Sequence, residues 1–99
     1  MTYSEFIESY CKKFNLVLDK EDGSTNKLSG DKLLKIRILA YLLRMHYSLS
    51  YNKVSKLIMI SRQMAMYHYY EVLRSELYRK IADDRYKEME GARNIQANG

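Results

Sequence analysis

Between Leu33 and Leu43 the chain reads LLKIRILAYLL, and a helix carrying Leu33, Leu34, Ile36, Ile38, Leu39, Ala40, Leu42 and Leu43 is apolar around most of its circumference. Such a helix must be covered on several sides, so it predicts a central element with other helices packed around it. Lys32, Lys35, Arg37 and Arg44 are its wet positions. They also interrupt the longest apolar run well short of the ~18–20 residues that a membrane span needs.

The rest of the chain supplies the cover. With 99 residues, 46% hydrophobic and 29% charged, no proline and four glycines, the composition suits one helical core. A chain of this size removes roughly 60–70% of its unfolded surface from water. Thr2-Tyr3-Ser4-Glu5 has the form of a capping box, and Phe6, Ile7, Tyr10 and Phe14 follow at helical spacing, with Cys11 beside them. This predicts a first helix ending near Phe14. The segment DKEDGSTNKLSGDK is a long loop of turn-forming residues, and Ser29 is the cap candidate for the central helix.

After the central helix, His46-Tyr47-Ser48-Leu49-Ser50 breaks the apolar pattern. Ser50 then caps a short helix from Tyr51 to Ile58, with Val54, Leu57 and Ile58 inward. Met59-Ile60-Ser61 is a corner. From Ser61, a second cap candidate, one long helix is expected through Met66, Tyr69, Tyr70, Leu73 and Leu77, and on through Ile81 into DDRYKEMEG, fraying from Gly91. The expectation is an all-α fold of about five helices, in a single domain over residues 1–90 with a tail at 91–99.

Chemistry narrows the function. A net charge of +5 and a pI near 9.3 attract polyanions. Cys11 is the only cysteine, which excludes an internal disulfide framework and points to a reducing compartment. The opening MTYSEFIESY lacks the basic, apolar and small-residue regions of a secretory signal, so a soluble cytoplasmic protein is expected. No residue pattern supports catalysis: Cys11 has no positioned base, and Asp83-Asp84 belongs to a mixed-charge helical face. No cofactor or metal is expected, because His68 has neither a cysteine nor a second histidine at ligand spacing and reads as a packed residue. His46, near a helix end, suits the negative end of the helix dipole. Met45, Met59, Met64 and Met66 are read as fillers of core gaps.

What remains is VSKLIMISRQMAMYHYYEVL, from Val54 to Leu73, which has the pattern of a helix-turn-helix. Val54 and Ser55 face the partner helix, Ile58 and Ile60 flank the corner, and Ala65 offers a small contact. Met59 stands where glycine is usual, and a non-glycine residue in the left-handed region costs roughly 1–2 kcal/mol. A wider corner is therefore expected. Arg62 and Gln63 begin the second helix, where side chains reach base edges: Arg pairs with guanine and Gln with adenine. Tyr67 is expected to be exposed and to join them, with Met64 touching a thymine methyl, while Tyr69 or Tyr70 enters the core. Ser50, Lys53, Lys56 and Ser61 are the expected phosphate contacts, and Lys27, Lys32 and Arg37 reach a flanking backbone or minor groove.

The segments FIESYCKKF, then a loop, then KIRILAYLLRMHYSLS, then the helix-turn-helix with His68 in its second helix, resemble the C-terminal DNA-binding domain of DnaA-type bacterial replication initiators over about Tyr3 to Leu77. The resemblance implies a Trp-repressor-like fold that binds double-stranded DNA. The family's Arg-Asp-His-Thr-Thr is Ser61-Arg62-Gln63-Met64-Ala65 here, and its preceding Gly-Gly is Met59-Ile60. The initiator's own target sequence is accordingly not implied. The sequence holds no G-x-x-x-x-G-K-[ST] loop, so ATP-driven activity is not expected.

The leading expectation is a small transcription or replication regulator that reads duplex DNA. The rival is a protein-protein interaction module on the same fold, gripping a partner or a second copy through tyrosines and methionines. A repressor-style homodimer, with recognition helices ~34 Å apart, is a further arrangement in which the last helix supplies the dimer contact.

Overall fold

The computed structural model describes residues 2–18 and 30–98, with side chains through residue 90. Among the described residues it is all-helical: α1 Tyr3–Lys13, α2 Gly30–Tyr47, α3 Tyr51–Ile58, α4 Arg62–Arg74 and α5 Glu76–Asn98. No helix among them is long and apolar enough to cross a membrane. Ser29 and Lys27 lie outside the described residues, as does most of the expected loop, whose last three residues, Gly30, Asp31 and Lys32, already belong to α2.

Local signals set the ends of three helices. Thr2 caps α1: its hydroxyl accepts from the Glu5 amide at 3.2 Å and the Glu5 carboxylate accepts from the Thr2 amide at 3.0 Å, satisfying donors that the first turn leaves unpaired. Ser50 caps α3 by accepting from the Lys53 amide, and Ser61 caps α4 by accepting from the Met64 amide, each at 3.1 Å.

The apolar central helix sits where its composition demands. α2 touches α1, α3, α4 and α5, and Ile36, Ile38, Leu39, Ala40, Tyr41, Leu42 and Leu43 are all buried. Phe6 and Tyr10 of α1 complete the core on one side, where the Tyr10 hydroxyl donates to the Lys35 carbonyl at 2.8 Å and accepts from Arg85 of α5 at 3.0 Å. The four basic side chains of α2 are not simply wet. Lys35 pairs with Asp31 at 2.9 Å with its own side chain only 16% exposed, and Arg37 and Arg44 are half-buried against aromatic rings.

The corner keeps its usual tightness. Met59 itself takes the left-handed conformation (φ 61°, ψ 41°), and its amide and that of Ile60 both donate to the Ser55 carbonyl. These two bonds close the end of α3, so the chain bears the strain of a side chain at positive φ instead of widening the turn. Replacing Met59 by glycine is expected to raise stability by about 0.5–1 kcal/mol, after allowing for the extra freedom that glycine gives the unfolded chain. A urea midpoint that falls in the glycine variant would contradict this.

The single long helix expected after Ser61 is two helices. Ser75 is extended (φ −110°, ψ 116°), its amide donates to the Val72 carbonyl, and its hydroxyl accepts from the Tyr78 amide at 3.2 Å. One serine thus ends α4 and caps α5, and the bend returns Tyr78, Ile81, Ala82 and Met89 to the core. The inward face of α4 also differs from the expected one. Ala65, His68 and Val72 are buried, whereas Tyr70 and Leu73 face outward and Leu77 is 66% exposed. The methionines depart too: Met45 and Met59 are exposed, Met64 and Met66 half-buried, and Met89 is the buried one. The corner and the surface claim the first two.

Candidate nucleic-acid interface

The outward side of α3, the corner and α4 carries the residues singled out above. Arg62 and Gln63 are exposed in the first turn of α4, and neither α3 nor α4 has an acidic residue in its first turn. The positive end of α4 therefore meets solvent without a carboxylate to neutralise it. Lys53 and Lys56 are exposed on α3, with the Lys53 ammonium 5.3 Å from the Tyr3 ring of α1. The hydroxyls of Ser50 and Ser61 accept the capping amides, so each offers its O–H hydrogen outward.

Gln63, Tyr67, Tyr70 and Arg74 fall at steps of four, three and four along α4, which places them on one face. Tyr67 is 47% exposed and Tyr70 45%. Tyr69 is the tyrosine that turns inward, stacking on Tyr41 with ring centroids 5.5 Å apart. Met64 is half-buried, which limits it to the edge of this face.

Glu71 borders the same surface. Its carboxylate accepts from the Tyr67 hydroxyl at 3.0 Å and pairs with Arg74 at 2.6 Å, and these bonds hold it below the usual carboxylate range. Its charge is matched by Arg74 beside it, with Arg37 near enough to contribute.

Arg37 has a task inside the fold. Its Nε donates to His68 Nδ1 at 3.2 Å, and its guanidinium lies 5.4 Å from the Tyr67 ring and 5.7 Å from the Tyr78 ring. His68 is fully buried, and its Nε2 has no hydrogen-bond partner among the described residues. Burial, reinforced by the Arg37 charge, pushes the imidazole down to about 4. Lys32 is half-buried and engaged in an interaction of its own. His46 stacks face to face on Tyr86 at 3.6 Å, and burial lowers its pKa while Asp83 and Glu90 oppose the fall.

One charge signal escaped the residue-by-residue reading. From Lys32 through Tyr70 the chain has no aspartate or glutamate, while Lys32, Lys35, Arg37, Arg44, Lys53, Lys56 and Arg62 all fall there. The carboxylates of the described helices lie in α1, at Asp31, at Glu71 and along α5. On α5 they alternate with bases, as in Lys80 with Asp84 at 3.8 Å. The positive excess is thereby concentrated on α2, α3 and the start of α4. No protein-family model matches this chain, and no curated protein or solved structure does.

Proposed function

We propose that this protein binds double-stranded DNA, with α3 and α4 acting as a Trp-repressor-like helix-turn-helix and the start of α4 entering the major groove. The observation that carries the reading is the outward, uncapped-by-acid end of α4, where exposed Arg62 and Gln63 stand over an amide-rich helix start. Arg62 and Gln63 are the principal base readers and Tyr67 their neighbour, with Met64 at the margin. Ser50, Lys53, Lys56 and Ser61 hold phosphates on either side. Arg37 serves this surface by bracing Tyr67 and His68.

The order of elements supports a likeness to the DNA-binding domain of DnaA-type initiators: a short α1, a long buried α2, then α3, a three-residue corner and α4. A small transcription or replication regulator is the role that fits. The interaction-module alternative draws on the exposed Tyr67 and Tyr70 rings and on Glu71 at their border, but that carboxylate is already paired with Arg74.

The test is a salt titration of binding to a labelled duplex. Each phosphate neutralised by Lys or Arg is expected to steepen the fall of log affinity against log salt by about 0.9. Arg62→Ala should cost about 1–3 kcal/mol on a preferred sequence. A flat salt dependence, or an Arg62→Ala variant that binds every duplex as the parent does, would end the proposal.

A further inference from the structure

We infer that the hydroxyls of Tyr51 and Tyr70, together with the guanidinium of Arg44, form a binding point for a backbone phosphate of duplex DNA. The inference rests on the reading of α4 as the groove-entering helix, and it extends the contact surface away from the tip of α4 to the far end of α3.

Three elements meet there. Arg44 of α2 donates to the Leu49 carbonyl at 3.0 Å, which fixes the guanidinium where the chain enters α3. Its central carbon lies 4.2 Å from the centre of the Tyr51 ring and 5.5 Å from that of Tyr69. Tyr69 stands edge-on to both neighbours, with ring centroids 6.0 Å from Tyr51 and 5.4 Å from Tyr70. Packed rings set the direction of their own hydroxyls, because a phenol has only two torsions to lose. Tyr69 thus lies between Tyr51 at the start of α3 and Tyr70 on the outward face of α4.

The chemistry of this cluster is that of a phosphate receptor. A phosphodiester oxygen is held by a cation and by O–H or N–H donors, and it carries no sequence information. Tyr51 and Tyr70 supply the hydroxyls and Arg44 the positive charge, with no carboxylate in the chain between Lys32 and Tyr70 to compete. The nearest one in sequence, Glu71, is already bonded to Arg74 and Tyr67. Burial pushes the Tyr51 phenol up, which keeps the hydroxyl protonated. The cap serine Ser50 and the exposed Lys53 lie on the adjoining residues of the same helix end, where the backbone would continue.

Packing alone would also bring these side chains together, and the hydroxyls separate the two roles. Tyr51→Phe with Tyr70→Phe keeps both rings and removes only the donors. On two unrelated 20–30 base-pair duplexes at low salt the double variant is expected to bind roughly tenfold more weakly, as two lost hydrogen bonds of ordinary strength imply, with an equal loss on each sequence. Its salt slope should match the parent's, whereas Arg44→Gln should lower the slope by about one phosphate. Circular dichroism and the thermal midpoint of each variant show whether the fold is intact. If the parent binds duplex and the folded double Phe variant binds equally well, the phosphate point is refuted and the groove reading stands. If the parent itself does not bind duplex, both are refuted.

Discussion

Between pH 7 and pH 4 the protein is expected to lose about 3 kcal/mol of folding stability through His68 alone. The imidazole is fully buried, with Nδ1 accepting from Arg37 and Nε2 unpartnered among the described residues. It titrates at about 4 in the fold and near 6.5 once unfolded. In that window the unfolded chain holds a proton that the folded chain does not, so stability rises with pH, is complete above 6.5, and is lost as pH falls toward 4. A difference of this size corresponds to ~1.4 kcal/mol per pKa unit. The charges facing His68 are Arg37, which lowers its pKa further, and Glu71, which opposes the fall.

Urea midpoints at half-unit steps from pH 7 to 4.5 measure the slope while most carboxylates are still ionised. A His68→Asn variant places an amide oxygen near Nδ1, so that Arg37 keeps an acceptor while nothing there titrates. Its absolute stability will be lower because it is smaller, but the slope through this window should largely vanish. An unchanged slope in His68→Asn would show that the acid sensitivity belongs to another group.

This histidine also marks where sequence ceases to be legible. The caps at Thr2, Ser50 and Ser61 were readable because a cap is written within four residues: a hydroxyl, then the amide that it receives. α3 accordingly has the bounds its sequence implies. The inward face of α4 was not readable in the same way. Tyr69, Tyr70, Leu73 and Leu77 make a better apolar stripe on paper than Ala65, His68 and Val72, and yet the latter three are the buried residues. Small and polar residues win that side because the large side chains of α2 already fill the space, and tertiary volume outweighs hydrophobicity. The break at Ser75 follows from the same competition, since an unbroken helix would carry Tyr78, Ala82 and Met89 away from α2.

The candidate interface divides along the same line. Arg62, Gln63, Lys53 and Lys56 could be placed from a local motif, and the structure leaves all four exposed. The binding of Arg37 to His68, across 31 positions, and the cluster of Arg44, Tyr51, Tyr69 and Tyr70 come from three helices and have no local signature. Charge was the intermediate case. The absence of carboxylates from Lys32 to Tyr70 is plain in the sequence, but its meaning depends on the fold, which packs α3 against both α2 and α4.

Leu42→Ala is expected to destabilise the protein by about 3–5 kcal/mol, a large share of the ~5–15 kcal/mol that a folded domain holds. Leu42 is fully buried in the helix that touches all four others, so its side chain has no surface toward which its neighbours can relax. The loss combines the transfer of the missing methyl and methylene groups with the cavity they leave. Leu77→Ala removes the same atoms from a position 66% exposed on α5 and should change stability by less than about 0.5 kcal/mol. Side by side, the pair tests the assignment of inward and outward faces, since an unbroken helix from Ser61 would make Leu77 a core residue. Denaturant unfolding of both variants gives the answer: comparable losses would mean that Leu77 is buried and that the bend at Ser75 does not form, whereas a large loss at Leu42 alone fixes α5 in the register described.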